Sequence, residues 1–198
     1  MAQKKKTNAL IIFIKNPVKG KVKTRLAKDA SEDYALKVYL ELQRHTRDEV
    51  ADVKATRYLY YSSHIPENDI WDPTLFIKKV QENGDLGDKI NASFIDVLKD
   101  HGKVIIVGSD CIQLTSEIIE SAFALLDNYD VVIGPAVDGG YYLLGMKEHH
   151  PEIFTSIHWS TEVVLDQTME RVLSLGLSCH LLKELSDIDY LEDRKSVV

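Results

Sequence analysis

The chain has 198 residues, 44% of them hydrophobic, and its 31 acidic side chains outnumber 24 Lys and Arg, giving a formal net charge of −7. This length predicts one domain over residues 1–198, because domains usually contain about 100–200 residues. Cys111 and Cys179 lie outside any CxxC spacing, so neither a disulfide framework nor a zinc site is indicated. No run approaches the ~20 apolar residues of a membrane span. We expect a cytoplasmic protein, with residues 1–7 as a flexible tail.

Short β-branched runs alternate with amphipathic stretches along the chain. Strands are predicted at residues 9–14, 57–61, 75–80, 104–107, 131–133, 141–144 and 178–182. One helix is predicted over 29–50 with Ser31 as its N-cap, one after the glycine-containing loop 81–88, and one after Thr115. A last helix is expected to begin at Ser160, with apolar residues at 165, 169, 172 and 173, and to end at Gly176. Because parallel strands need crossovers, this order predicts an α/β fold with a mostly parallel sheet; the strand after residues 138–140 could break the alternation.

Positive charge is concentrated at the start of the chain. The first 28 residues hold nine of the 24 Lys and Arg and no acid. In an acidic protein this arrangement favours a small anionic ligand such as phosphate, since nucleic acid would need a wider basic stripe. The loop is not a Walker A motif, because Lys15 replaces its first glycine and Val22 its Ser or Thr. The alternative is a solubilising tail followed by a solvated face.

Carboxylates follow several predicted strands. Asp110 comes just after the strand at 104–107, where it could hold Mg²⁺ against phosphate oxygens, or else begin the next helix. Asp138-Gly139-Gly140 could approach a ligand closely or form a plain turn. Asp187 and Asp189 could bring a second carboxylate to the same metal or be solvated.

Motifs along nearly the whole chain resemble one known family of small bacterial proteins. It comprises GT-A-like glycosyltransferases and nucleotidyltransferases related to 2-phospho-L-lactate guanylyltransferase and molybdenum cofactor guanylyltransferase. The resemblance implies a single-domain Rossmann-like three-layer sandwich of the nucleotide-diphospho-sugar transferase type. The matching motifs are Phe13-Ile14-Lys15-Asn16-Pro17, Lys23-Thr24-Arg25-Leu26, Gly84-Asp85-Leu86-Gly87, Gly108-Ser109-Asp110-Cys111, the stretch 134–142, Trp159-Ser160-Thr161 and Asp187-Ile188-Asp189.

The resemblance also implies roles for these residues. The basic loop would grip nucleotide phosphates, Asp110 would be the metal-binding carboxylate, and Asp187 matches a late position that completes the metal site in some relatives. Two prolines of the family pattern are replaced, by Ile112 after the Asp110 motif and by Lys19 in the first loop.

These observations lead to a hypothesis of a transferase that uses Mg²⁺ (or Mn²⁺) and a nucleotide donor. Nucleotidyl transfer from an NTP to a phosphorylated acceptor is slightly favoured, because one loop holds so many cations; glycosyl transfer from a nucleotide sugar is the alternative. A non-catalytic nucleotide-binding regulatory module is the alternative of another class. The donor base, the acceptor and a homo-oligomeric state are left open. The expected site comprises catalytic Lys23, Arg25 and Asp110; nucleotide-binding Lys15, Gly20, Lys23, Thr24, Arg25, Gly84 and Asp85; Asp138, Gly139 and Gly140 for the acceptor or ribose; and Asp110 and Asp187 for the metal.

Overall fold

A seven-stranded sheet forms the centre of the molecule. It is seen in a computed structural model, which describes residues 7–187. The sheet order is β3-β2-β1-β4-β6-β5-β7. Strand β6 is antiparallel to both of its neighbours, and every other pairing is parallel. The strands are β1 (Asn8–Ile14), β2 (Thr56–Tyr61), β3 (Phe76–Val80), β4 (Lys103–Val107), β5 (Val131–Pro135), β6 (Tyr141–Met146) and β7 (Cys179–Leu181).

Helices cover both faces of this sheet. Along β1, Leu10, Ile12 and Ile14 pack in one core with parts of α2 and α4, whereas Ala9 and Ile11 pack in the other with α3 and α5. This alternation follows from the two-residue period of a strand. The predicted α/β three-layer sandwich is therefore confirmed. The helices are α1 (Thr24–Asp29), α2 (Glu32–Ala51), α3 (Leu86–Leu98), α4 (Ser116–Leu125) and α5 (Val164–Ser174), with a 3₁₀ turn at Pro151–Phe154.

Most predicted elements are present, with two errors at helix starts. Ser31 and Thr115 are N-caps as predicted, each accepting a hydrogen bond from a backbone N–H three residues on. The predicted helix at 29–50 instead divides into the end of α1 and the whole of α2. Ser160 does not begin the last helix; α5 starts at Val164, and Ser160 has φ +64. Leu173, one of the apolar residues expected on this helix, is exposed.

The topology gathers the candidate site residues at one edge. The loops after β1 and β4 leave the carboxyl ends of neighbouring parallel strands, and β6 starts at this same edge because it runs antiparallel to β4. The crevice outside such strand ends is where ligands bind in open α/β sheets. Within residues 7–187, no helix is long and apolar enough to cross a membrane. The predicted tail, apart from Thr7, and Asp189 lie outside the described residues.

Candidate functional site

A cavity of about 1050 Å³ opens at the carboxyl edge of the sheet. It slightly exceeds the ~300–1,000 Å³ range of ligand pockets, so it has room for more than one small molecule. Gly20, Gly84, Asp85 and Gly139, also predicted as site residues, do not line it. The predicted residues that do line it are Lys15, Lys23, Thr24, Arg25, Asp110, Asp138, Gly140 and Asp187.

Charge of both signs lines the cavity. Lys19 contributes none, because it lies outside the cavity and pairs with Asp33 at 2.8 Å. Four of the five lining cations come from the loop after β1 and the start of α1, so the charge concentrated in the sequence is also concentrated in space. The cations are Lys15, Lys21, Lys23, Arg25 and Lys89, and the carboxylates are Asp110, Asp138, Glu162 and Asp187.

Lys23 and Asp110 contact each other. Lys23 precedes α1 in the left-handed region, with φ +46 and ψ +48, a conformation that costs energy for a residue with a side chain. Its side chain is only 3% exposed, and its Nζ lies 3.0 Å from Asp110 Oδ1. That oxygen is buried and accepts no hydrogen bond of good geometry. The pair is therefore chiefly an ion pair, and it joins the basic loop directly to the proposed metal carboxylate.

Asp110 and Asp187 both line the cavity, and the charges of both act on the Cys111 thiol. Burial, reinforced by the negative charges of Asp187 and Asp110, raises the pKa of the Cys111 thiol to about 11. The Ser186 N–H also donates to Gln113 Oε1 at 2.9 Å, which ties the segment before Asp187 to the turn after Asp110. Cys111 is thus a buried thiol that stays protonated at neutral pH, in keeping with packing rather than nucleophilic attack.

The basic loop is fixed to its neighbour by a buried asparagine. Asn16, 6% exposed, donates from its backbone N–H to Ser62 Oγ at 3.0 Å and from Nδ2 to the His64 carbonyl at 2.8 Å. Its Oδ1 accepts from the Ser63 N–H at 3.0 Å. These bonds satisfy a buried polar side chain and join the loops that follow β1 and β2. The sequence marked Asn16 only as part of a motif.

The loop 138–140 packs against the segment before α5. Gly139 has φ +85, and a Cβ there would lie 2.0 Å from the Glu162 carbonyl oxygen. The Leu165 N–H donates to the Gly139 carbonyl at 2.9 Å. Glycine is therefore required at 139 by both conformation and space. Gly139 supports the cavity wall, while Asp138 and Gly140 line it.

The start of α3 provides a lining cation that sequence reasoning missed. Asp85, predicted to bind nucleotide, caps α3 instead: its Oδ1 accepts from the Asp88 N–H at 2.9 Å, and its own N–H donates to Asp88 Oδ2 at 3.1 Å. Lys89, one turn into the helix, is half-buried and lines the cavity. Its signal in the sequence was a basic residue one turn after a glycine-containing loop. Trp159 closes this corner, since a Cβ at Gly87 would lie 2.2 Å from its Nε1.

The chain matches the model of a known protein family. The profile of DUF2064, described as an uncharacterized protein conserved in bacteria, matches residues 46–161. The chain belongs to the DUF2064 family. The matched part includes Asp110, the loop 138–140 and Trp159, whereas the basic loop precedes it and Asp187 follows it. No curated protein sequence matches significantly.

Solved structures share the fold of this DUF2064 member. One from Desulfovibrio desulfuricans G20, provisionally named a nucleotide-diphospho-sugar transferase, has 27% identity and a TM-score of 0.90 over 96% of this chain and 85% of its own. The inositol-1-phosphate CTP transferase of T. maritima has 14% identity and a TM-score of 0.57, over 96% and 92%. Rv0371c of Mycobacterium tuberculosis H37Rv, solved with manganese, has 11% identity and a TM-score of 0.55, over 98% of each chain. The fold is thus that of nucleotide-diphospho-sugar transferases and nucleotidyltransferases, as the resemblance predicted.

Proposed function

We propose that this protein is a transferase that takes a group from a nucleotide donor and binds the donor's phosphates on the loop after β1. The observation that carries the proposal is the cavity at the sheet edge, which four cations from one loop and the start of α1 line together with Asp110, the ion-pair partner of Lys23. Such a site suits a reaction in which the protein positions the reactants and offsets developing phosphate charge. The fold of the neighbours supports this class.

Nucleotidyl transfer from an NTP is the first candidate. An acceptor phosphate oxygen would attack the α-phosphorus, the bond from that phosphorus to the bridging oxygen would break, and pyrophosphate would leave. A triphosphate carries about four negative charges, and the five lining cations would offset them if a divalent cation offsets the carboxylates of the same cavity. Lys23 and Arg25 are the proposed phosphate ligands, with Lys15 and Thr24 beside them.

Glycosyl transfer from a nucleotide sugar is the second candidate, and the Desulfovibrio structure favours it. An acceptor hydroxyl would attack the anomeric carbon, the bond to the diphosphate oxygen would break, the hydroxyl proton would be lost, and a nucleoside diphosphate would leave. Trp159, Ser160 and Thr161 add an aromatic ring and hydroxyls to the same cavity. Asp138 and Gly140 are proposed to contact the acceptor or ribose in either reaction.

The carboxylates fit a divalent cation. Mg²⁺ prefers one or two carboxylates together with waters and phosphate oxygens, and Asp110 and Asp187 both act on Cys111 from nearby positions. Asp110 Oδ1 is buried, accepts no hydrogen bond of good geometry and has the Lys23 ammonium as its ion-pair partner. We propose that these two residues hold Mg²⁺ or Mn²⁺, which would neutralise phosphate charge when bound.

Product analysis tests the proposal and separates the candidates. The protein is incubated with Mg²⁺ and a panel of NTPs or nucleotide sugars, with mixed sugar phosphates and sugars as acceptors. Pyrophosphate release would identify nucleotidyl transfer, and nucleoside diphosphate release would identify glycosyl transfer. We expect Asp110→Asn to abolish Mg²⁺-dependent turnover.

A matched binding measurement shows whether Asp110→Asn still folds. Nucleotide affinity in the presence of a chelator should stay unchanged or become slightly tighter, because the substitution removes the negative charge that pairs with Lys23 near the phosphates. Retained turnover in Asp110→Asn would move the metal elsewhere. No turnover of the wild type with any donor, together with Mg²⁺-independent nucleotide binding, would favour a non-catalytic binding module.

A further inference from the structure

A tyrosine on α2 lies between the two halves of the proposed site. Tyr39 is 2% exposed, so its ring and its hydroxyl are both inside the protein. On one side of the hydroxyl is the backbone of Lys15, where β1 enters the basic loop. On the other side is Ser109, the residue before Asp110.

The Tyr39 hydroxyl uses its full hydrogen-bonding capacity. It accepts from the Lys15 N–H at 2.7 Å and donates its single proton to the Lys15 carbonyl at 2.9 Å. Its second lone pair faces Ser109 Oγ at 3.5 Å, where the serine must be the donor because the tyrosine proton is already used. One hydroxyl thus contacts both the basic loop and the turn that carries Asp110.

A second residue on α2 also bonds to the basic loop. Gln43, one turn after Tyr39 and 3% exposed, donates from Nε2 to the same Lys15 carbonyl at 3.1 Å. Gln43 therefore helps to hold Lys15 and also acts on the Tyr39 hydroxyl, but within the described part of the chain it makes no hydrogen bond to Ser109. Among the described residues, only Tyr39 contacts both Lys15 and Ser109. Variants of Tyr39 and Gln43 can therefore distinguish anchoring of the loop from its connection to the Asp110 turn.

The electrostatic surroundings agree with this placement. Burial and the negative charge of Asp110 raise the pKa of Tyr39 above its ordinary value. The hydroxyl therefore keeps its proton and its donor role at neutral pH.

We propose that Tyr39 is a positioning residue that couples phosphate binding on the basic loop to metal binding at Asp110. This inference rests on the proposed function, in which loop and metal act on the same phosphate groups. A cation held by Asp110 would offset the charge of phosphates on the loop only if the loop and the carboxylate keep a fixed separation. Misplacement of reacting groups by about 1 Å can cost on the order of 100-fold in rate. Tyr39 helps to hold that separation, beside the Lys23–Asp110 ion pair, through its bonds to Lys15 and its 3.5 Å contact with Ser109.

The coupling can be measured with inorganic pyrophosphate, a probe that carries the diphosphate of both candidate donors. Its dissociation constant is determined calorimetrically with EDTA and with MgCl₂, and the ratio gives the enhancement by Mg²⁺. Complex formation between Mg²⁺ and pyrophosphate in solution is the same for every variant and cancels in the comparison. We expect Tyr39→Phe to lower the enhancement about fivefold or more, within the range of typical coupling factors.

Two further variants separate coupling from ordinary structural support. Gln43→Met removes one bond to Lys15 but not the link to Ser109, so it should weaken pyrophosphate binding with EDTA and keep the wild-type enhancement. Ser109→Ala removes the other end of the link and should lower the enhancement as Tyr39→Phe does, which preserves the test if Tyr39→Phe does not fold. An enhancement equal to that of the wild type in Tyr39→Phe or Ser109→Ala would overturn the role of Tyr39. A loss of enhancement in Gln43→Met as large as in Tyr39→Phe would also overturn it. Either result would leave the proposed function standing. Absence of any Mg²⁺ enhancement in the wild type would overturn both this role and the metal site of the proposed function.

Discussion

At the scale of single residues, the basic loop contains cations with different partners. Lys23 is buried against Asp110 inside the cavity, whereas Lys19, four positions earlier, pairs with Asp33 at the surface. Exposed ion pairs contribute ~0–1 kcal/mol. The sequence shows both as lysines of one loop, and only their neighbours in space distinguish them. The charge of this loop alone therefore overstates how many cations can reach a ligand.

This difference predicts how two alanine variants will behave. Lys23→Ala should weaken nucleotide or pyrophosphate binding about tenfold or more, because one charge-assisted contact is worth ~1.5–3 kcal/mol. Lys19→Ala removes the same charge from the same loop but should change the affinity less than about twofold. Calorimetric titration of both variants at one salt concentration makes the comparison. Equal losses would mean that the loop acts only through its overall field, and no loss in either would make it a solvated surface.

At the scale of elements, the sequence predicted strands better than helix starts. The strands are apolar runs such as residues 104–107, whose local pattern is unambiguous. Helix α1 has six residues and buries only Leu26, so it leaves no periodic signal. The start of α5 was predicted at Ser160 because serine is a good N-cap, but the Leu165 N–H is satisfied by the carbonyl of Gly139. A long-range contact therefore replaces the local cap.

The candidate site was also predicted only in part: residues that follow strands were identified, and residues near the helices were missed. Lys23, Arg25 and Asp110 follow strands, and strand ends collect at one edge of a parallel sheet, so topology brings them together. Lys89 and Glu162 reach the cavity from the layer of α3 and α5. Their positions depend on how helices pack on the sheet, which includes the fit of Trp159 against Gly87. No local pattern in one sequence encodes that packing.

The junction between the loop 138–140 and α5 predicts a contrast between adjacent glycines. Gly139→Ala places a Cβ against the Glu162 backbone in a positive-φ conformation, and we expect a loss of ~1–3 kcal/mol in the free energy of unfolding. For a chain of this size, each kcal/mol lowers Tm by ~2–4 °C, so the expected fall is about 2–12 °C. Thermal denaturation followed by circular dichroism measures this change.

Gly140→Ala is the matched control for that prediction. Its Cβ would lie 3.2 Å from Asp138 Oδ1, a side-chain atom that can move, and its φ is not positive. We expect its Tm to stay close to that of the wild type. If Gly139→Ala were equally stable, the loop would be able to leave Glu162 without cost, and its role as a fixed cavity wall would be wrong.

At the scale of the whole molecule, basic and acidic side chains are concentrated in different parts of the chain. The formal net charge is −7, yet the first 28 residues hold nine basic and no acidic side chains. Four cavity cations come from this part of the chain, while the remaining residues contain 15 basic against 31 acidic side chains. A small anion needs to contact only the cavity. A long polyanion would also contact the rest of the protein, whose net charge is negative.

This separation predicts that the protein distinguishes a nucleotide from nucleic acid. With Mg²⁺, at least one of the four common NTPs at 100 times its dissociation constant should add ~2.7 kcal/mol to the free energy of unfolding. That corresponds to a rise in Tm of about 5–11 °C for a chain of this length. A 20-base-pair DNA duplex at the same phosphate concentration and low salt should leave Tm unchanged, since acidic residues repel its backbone outside the cavity. Differential scanning fluorimetry of both mixtures makes the comparison. Stabilisation by the duplex that disappears with added salt would show that the basic segment binds extended polyanions, and the small-ligand interpretation of the loop after β1 would then be wrong.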